Sequence, residues 1–100
     1  MRTLTDQQKL HLRRLGHSLK PVVLMGSAGL TDAVMAEIDQ ALDDHELIKV
    51  KVVADDREQR RARIEAICRQ ADAGLVQAVG RMALLFRRSR IERKRRIALP

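Results

Sequence analysis

The chain has 100 residues, of which 45% are hydrophobic, so we expect one domain with a single small core rather than wholesale disorder. No apolar run approaches the roughly 20 residues that span a bilayer, the N-terminus has no apolar signal segment, and one cysteine cannot form an internal disulfide. The formal net charge of +7 points to a polyanionic partner. We expect a cytoplasmic protein that is a monomer when free and has no membrane partner, cofactor or metal.

The first half of the chain predicts a helix, a strand and a second helix. Thr5 with Gln8 has the form of a capping box, and the helix that follows carries Leu12, Leu15 and Leu19 on one side. The apolar run at 21–25 is bounded by Pro and Gly and predicts a buried strand. Thr31 is a suitable N-cap for the second helix, whose apolar stripe lies opposite its acidic residues.

The second half predicts a strand, a helix and a hairpin. Residues 47–53 alternate between apolar and polar positions, with Lys49 and Lys51 on the outer face. Asp55 or Asp56 caps the third helix, Gly74 ends it, and residues 75–79 and 82–86 form a hairpin around a tight turn. The fold class is therefore α/β in the order αβαβαββ, with parallel pairing through right-handed crossovers and an antiparallel hairpin.

The basic excess is confined to the end of the chain. Residues 1–80 hold 12 basic and 12 acidic residues, whereas residues 81–100 hold eight basic residues against Glu92 alone. We accordingly divide the chain into a domain at 1–86 and a basic C-terminal segment at 87–100. A block of this kind is typical of a polyanion-binding surface, and a solubilising tail is the alternative. Residues 31–46 show the opposite bias, with six acids and no Lys or Arg, so a bound polyanion should avoid that helix.

Catalysis has little support in the sequence. His11, His17 and His45 fall in separate elements and have no ligand-like spacing to one another or to Cys68. Cys68 lies on the apolar stripe of the third helix, where a packing role is expected rather than a nucleophile. We expect a protein that is not an enzyme.

The turn from Gly26 to Gly29 is the best local candidate for a site. It lies between a strand and a helix N-terminus, where free N–H groups and the helix dipole favour an anion, and glycine lets a phosphate approach the backbone. An ordinary tight turn is the alternative, and the spacing is not that of a Walker loop. If φ of Gly29 is negative, Gly29→Asp should weaken binding with little loss of stability.

The aromatic content limits how a nucleic acid could be recognised. Phe86 is the only aromatic residue, and we expect it to pack in the last strand. Modules that read single-stranded sequence use aromatic platforms for base stacking. We therefore expect recognition of RNA shape and phosphate, with Arg and Lys setting the affinity and its salt dependence.

Several motifs in order resemble the YhbY-like, or CRM (chloroplast RNA splicing and ribosome maturation), family. They are the runs at 19–26, 29–31 and 45–51, together with the closing run at 80–87, and the similarity covers essentially the whole chain. The resemblance implies a mixed four-stranded sheet with helices, like the C-terminal domain of bacterial translation initiation factor three. It also implies that Gly26 to Gly29 is a KH-like RNA-contacting loop and that stand-alone bacterial members associate with large-subunit precursors. Two departures are Ser27-Ala28, where the family often has Lys or Asn, and Phe86 in place of a usual Tyr.

The leading hypothesis is a ribosome-assembly factor that binds ribosomal RNA in large-subunit precursors. The alternatives are an adaptor that docks its acidic second helix on basic ribosomal proteins and a general nucleic-acid binder. The residues predicted to contact RNA are Lys20, Gly26, Ser27, Ala28, Gly29, Lys49, Lys51, Arg57, Arg60, Arg61, Arg81, Arg87, Arg88, Arg93, Lys94, Arg95 and Arg96.

Overall fold

The computed structural model describes residues 2–100, and the elements follow one another in the predicted order. They are α1 (Asp6–Gly16), β1 (Pro21–Met25), α2 (Asp32–His45), β2 (Leu47–Val52), α3 (Arg57–Ala71), β3 (Gly74–Val79), β4 (Met82–Phe86) and the 3₁₀ turn η1 (Glu92–Lys94). The αβαβαββ prediction is confirmed. None of the helices in residues 2–100 combines the length and the apolar character that a bilayer span needs.

Side-chain caps start each of the three long helices at the predicted positions. At α1 the Thr5 hydroxyl accepts the Gln8 N–H at 3.1 Å, and the Gln8 side chain accepts the Thr5 N–H at 3.1 Å, which completes the capping box. Thr31 caps α2 and Asp56 caps α3 in the same way. Each cap satisfies a backbone donor that the helix itself leaves unpaired, so these starts are defined locally.

The sheet has the strand order β1-β2-β4-β3. β1 and β2 pair in parallel across the α2 crossover, whereas β4 pairs antiparallel with both β2 and β3. The predicted parallel pairing and the antiparallel hairpin are therefore confirmed. As a result, the C-terminal ends of β1, β2 and β3 and the start of β4 all lie at the same end of the sheet.

The two faces of the sheet are covered differently. α2 and α3 pack on one face over the main core, which includes Ile48, Val50 and Leu85. α1 packs on the other face over a smaller cluster around Leu12, and the C-terminal residues Ile97 and Leu99 join that cluster. Phe86 is buried in the second cluster, as predicted.

Three local expectations are corrected. α1 packs mainly on β3, β2 and β4, and Leu15 on α1 is 46% exposed rather than buried. Leu19, which was expected on the same helix face, lies beyond the end of α1 and is 37% exposed. Gly74 does not cap α3, because Asp72 takes the left-handed conformation there with φ 53° and Gly74 begins β3.

Candidate RNA interface

The fold separates most of the predicted RNA-contacting residues into two groups at opposite ends of β2, and three of the lysines belong to neither. The first group, which we call the loop end, comprises the 26–29 turn, the start of α3 and the β3–β4 turn at Gly80-Arg81. The second group is the C-terminal segment, residues 87–100, which lies against α2 at the other end of the sheet. The two groups differ in how far their charges are available to a ligand.

The 26–29 turn directs free backbone donors outward. The Gly29 N–H donates to the Gly26 carbonyl at 3.0 Å and the Thr31 N–H donates to the Gly29 carbonyl at 3.1 Å, which closes the turn before α2. Within residues 2–100 the N–H groups of Ser27 and Ala28 have no hydrogen-bond partner, and both residues are exposed. Two free donors beside a helix N-terminus form a suitable surface for a phosphate oxygen.

Arg63 on α3 stabilises this turn through hydrogen bonds to its carbonyl groups. The sequence patterns did not identify this residue. Its guanidinium group donates to the carbonyls of Gly26 at 3.3 Å and Ser27 at 3.1 Å, and also to the carbonyl of Val53. Tying the carbonyls inward leaves the N–H groups facing solvent and places a positive charge behind them. A turn that lacks a basic side chain of its own therefore has one supplied by another element.

Gly29 has φ +79°, so the condition attached to Gly29→Asp is not met. A side chain there is strained whatever space is available, and a loss of binding by that variant could not be separated from a disturbed turn. Gly26 is the better site for a test, because a Cβ added to it would meet nothing within 4 Å and its φ is not positive.

Four predicted arginines lie at the loop end without a carboxylate partner within residues 2–100. Arg57, Arg60 and Arg61 project from the first turns of α3, and Arg81 is exposed in the β3–β4 turn. Within residues 2–100 none of these four guanidinium groups forms an ion pair. Arg57 and Arg61 are exposed, so the first turns of α3 extend beyond the core.

The three predicted lysines lie apart from the turn. Lys49 and Lys51 are half-buried on the α1 face of the sheet, and the Lys49 ammonium group donates to the His17 carbonyl at 3.4 Å. Lys20 is exposed before β1, beside an apolar groove that includes Leu19 and Val22. They extend the positive surface toward α1 but do not contact the turn.

The C-terminal segment is anchored by a buried carboxylate at the end of the acidic stretch 31–46. Glu46 has no exposed surface, and its carboxylate accepts the backbone N–H groups of Ser89 at 2.8 Å, Arg96 at 2.7 Å and Ile97 at 3.0 Å. Burial alone would raise the pKa of Glu46, but these three donors outweigh it and hold the pKa below its usual value. The backbone of Glu46 has φ 64°, an uncommon conformation that this anchoring maintains.

Arg87 belongs to the interior and is removed from the predicted interface. It is 4% exposed, and its guanidinium group donates to the Asp39 carboxylate at 2.8 Å, to the Asp43 carboxylate at 3.3 Å and to the Ala71 carbonyl at 2.8 Å. No surface of this side chain is left for a phosphate. The sequence showed only one more arginine in a basic block, and nothing in that pattern marks it as buried.

Further ion pairs hold the same segment to α2. The Arg90 guanidinium group donates two hydrogen bonds to the Asp43 carboxylate, one of them at 2.8 Å. The Lys94 ammonium group lies 2.6 Å from the Asp44 carboxylate. The Arg90 hydrogen bond and the charge of Arg87 lower the pKa of Asp43 to about 2 against the opposing effect of burial. The Lys94 ammonium group lowers the pKa of Asp44. Lys94 is therefore engaged in docking rather than free.

The acidic face of α2 is thus largely occupied by the chain's own cations and N–H groups. Asp39, Asp43, Asp44 and Glu46 hold the C-terminal segment, which leaves Asp32 and Glu37 of the six acids outside that contact. The basic residues of the segment that stay exposed without a carboxylate partner are Arg88, Arg93, Arg95 and Arg96. Docking fixes these four charges against the domain.

The remaining titratable groups offer no catalytic arrangement. Cys68 is fully buried, and burial raises the pKa of its thiol to about 11, so the thiol stays protonated near neutral pH. Within residues 2–100 no group of three or more His, Cys, Asp or Glu side chains is placed to hold a metal ion.

An α/β domain with a backbone-presenting turn and two arginine-rich ends is a nucleic-acid-binding type of structure. A model of the CRS1 / YhbY (CRM) domain family matches residues 4–87, and the chain belongs to that family. It is 49% identical over 89 residues to an RNA-binding protein from Haemophilus influenzae, covering 89% of this chain and 90% of that one. It is 46% identical over 86 residues to the Probable RNA-binding protein PA4753 from Pseudomonas aeruginosa, covering 86% and 83%.

The solved structures agree on the fold. The solution structure of the hypothetical protein SAV1595 from Staphylococcus aureus matches with a TM-score of 0.82 and 32% identity, covering 98% of this chain and 100% of that one. The implied mixed four-stranded architecture and the family resemblance are both confirmed.

Proposed function

We propose that this protein binds structured RNA through backbone and shape, and that its target is ribosomal RNA in precursors of the large ribosomal subunit, in the cytoplasm. RNA binding follows from the family and from relatives that are named for it. Its role is binding rather than catalysis. The ribosomal target is the further step, and it rests on what the family resemblance implies for stand-alone bacterial members.

One structural observation supports this function. The loop end carries both the free N–H donors of Ser27 and Ala28 and guanidinium groups on α3 and at Arg81 that form no ion pair within residues 2–100. Contacts from backbone donors and arginines to phosphate carry no information about base identity. With Phe86 buried, the domain has no aromatic platform for reading bases. Duplex or folded RNA offers the regular phosphate array that such a surface fits.

Sucrose-gradient sedimentation of a lysate at low salt tests the target. We expect the protein in the fractions of large-subunit precursors, and in-cell crosslinking should map it to one region of large-subunit RNA. Recovery of the protein only from the free pool would contradict the ribosomal assignment. Equal affinity for duplex DNA and for structured RNA of the same length would favour a general nucleic-acid binder instead.

The adaptor alternative is tested at the two α2 acids that do not hold the C-terminal segment. Asp32→Asn with Glu37→Gln leaves the docking contacts intact and removes the free acidic surface. We expect this double variant to sediment as wild type does. If it leaves the precursor fractions while its RNA affinity is unchanged, the acidic helix binds a protein partner.

A further inference from the structure

A cleft opens at the loop end between the first half of α3 and the β3–β4 turn. Its volume is about 490 Å³, which falls in the range of roughly 300–1,000 Å³ typical of small-ligand sites. Three of the lining residues are arginines, which we call the arginine wall, and the others include the apolar Ile64 and Leu75 and the small Ala78 and Gly80. The lining residues are Arg57, Arg60, Arg61, Ile64, Glu65, Leu75, Ala78 and Gly80.

The arginine wall has positive charge that the protein does not neutralise. The guanidinium groups of Arg57, Arg60 and Arg61 have no ion pair within residues 2–100, and Glu65 is the one carboxylate residue in the lining. The Nε of Arg60 is buried and has no hydrogen-bond partner among the described residues. Guanidinium groups that form no ion pair are suited to bind a phosphate through charge-assisted hydrogen bonds.

We propose that this cleft takes one unpaired nucleotide of a structured RNA, with the phosphate on the arginine wall and the base against Ile64, Leu75 and Ala78. A nucleotide has the anionic and the flat apolar parts that this lining combines. Guanidinium planes stack on bases, so arginines provide the stacking surface that the missing aromatics would otherwise supply. The inference rests on RNA binding by this protein and not on the ribosomal target.

Two hairpin RNAs that differ by one bulged nucleotide test the cleft, with 2-aminopurine as the bulged base. We expect wild type to prefer the bulged RNA on the order of tenfold, a size typical of a single base contact, and to change the 2-aminopurine fluorescence on binding. Both RNAs share the remaining phosphates, so the ratio of the two affinities isolates the cleft from the general electrostatic attraction.

Ala78→Leu fills the cleft without changing charge. Ala78 is exposed in β3 and pairs with Ala83 in the ladder, so a leucine is compatible with the strand. Gln77→Leu is the matched control, because Gln77 borders the groove on the α1 face of the same strand. We expect Ala78→Leu to bind the two RNAs with about equal affinity, whereas Gln77→Leu should keep a preference on the order of tenfold for the bulged RNA.

Arg60→Lys keeps the charge but loses the planar donor group, and Arg69→Lys is its control at an exposed position outside the cleft. We expect only Arg60→Lys to lose the bulge preference. Equal wild-type affinity for both RNAs, or a preference that survives Ala78→Leu, would overturn the cleft site while RNA binding stands. If inorganic phosphate changes both affinities equally and wild type shows no preference, the wall is an anion surface only. Binding to neither RNA would overturn RNA binding as well.

Discussion

Two arginine-rich regions lie at opposite ends of the sheet, and the fold uses their charges differently. At the loop end the guanidinium groups of Arg57, Arg60 and Arg61 face solvent or a cleft without a carboxylate partner. In the C-terminal segment Arg87, Arg90 and Lys94 pair with carboxylates of α2. The difference teaches that the density of basic residues along a chain does not measure the charge available to a ligand. Availability depends on which acids the fold brings alongside.

A second contrast concerns the means by which each region is held. Arg63 organises the turn from behind with one guanidinium group on three carbonyls, and the N–H groups remain free. Glu46 does the reverse at the other end, where one carboxylate takes three N–H groups of the C-terminal segment. The loop end therefore exposes backbone donors, whereas the C-terminal segment has used several of its own for docking.

The largest effect is expected when the buried cation of the C-terminal segment is removed. Arg87→Met leaves Asp39 without its ion-pair partner and removes one of the two cations that bind Asp43, and it should destabilise the fold by about 3–5 kcal/mol. RNA affinity, measured where the variant is still folded, should stay within twofold of wild type. Urea unfolding and filter binding check the two parts. A stable variant with much weakened RNA binding would return Arg87 to the interface.

The exposed charges of the C-terminal segment should control the salt dependence. Replacing Arg88, Arg93, Arg95 and Arg96 with Gln removes four exposed charges that form no ion pair within residues 2–100. We expect the slope of log affinity against log salt to flatten by about three, and affinity at low salt to fall on the order of 100-fold for all RNAs alike. Fluorescence-anisotropy titrations measure the affinity. If this variant binds RNA as tightly as wild type at about 0.1 M salt, the segment is a solubilising one.

Docking of the segment should depend on pH only under acid conditions. The folded-state pKa of Asp43 is about 2, below its unfolded value of about 3.9, so its contribution is complete above about pH 5 and is lost as pH falls toward 2. The contribution is about 2 kcal/mol. We expect the unfolding free energies of wild type and Asp43→Asn to differ near neutral pH and to converge only as pH falls to about 2 and below. A constant difference down to pH 2 would show that Asp43 does not titrate with docking.

The smallest effect is expected when Arg63, whose guanidinium group supports the 26–29 turn, is replaced. Arg63→Lys keeps the charge but cannot reach three carbonyls, so the turn should loosen and RNA affinity should fall about tenfold with little loss of stability. Arg69→Lys is the control, as an exposed arginine of the same helix. Amide exchange at Ser27 and Ala28 by NMR reports the turn directly. Unchanged exchange together with unchanged affinity would show that the turn needs no support from α3.

Much of the fold could be predicted because its signals are local. The capping box at Thr5, the caps at Thr31 and Asp56, and the alternation at 47–52 each depend on residues within a few positions of one another. The exposure of Leu15 could not be predicted in this way. It depends on which strands α1 covers, and that is decided by packing across the sheet.

The candidate site was predictable in composition but not in arrangement. The glycine turn and Arg57, Arg60 and Arg61 of α3 were identified from the sequence. Arg63 was not, because it lies 37 residues from Gly26 and no local pattern links the two. The contact between Arg87 and Asp39 spans 48 positions, and no periodicity links such residues. Pairing over these distances becomes visible only when the chain has folded.

The sequence by itself determined the order of the elements, the place of the glycine turn and the confinement of the basic excess to the end of the chain. The tertiary structure alone decided which of those charges a ligand can reach. The physical reason is that a cation attracts whichever carboxylate or phosphate comes close enough, and α2 supplies carboxylates to the C-terminal segment but none to the arginines at the start of α3. The basic segment that dominates the charge count is therefore partly neutralised, and the loop end retains the unpaired arginines.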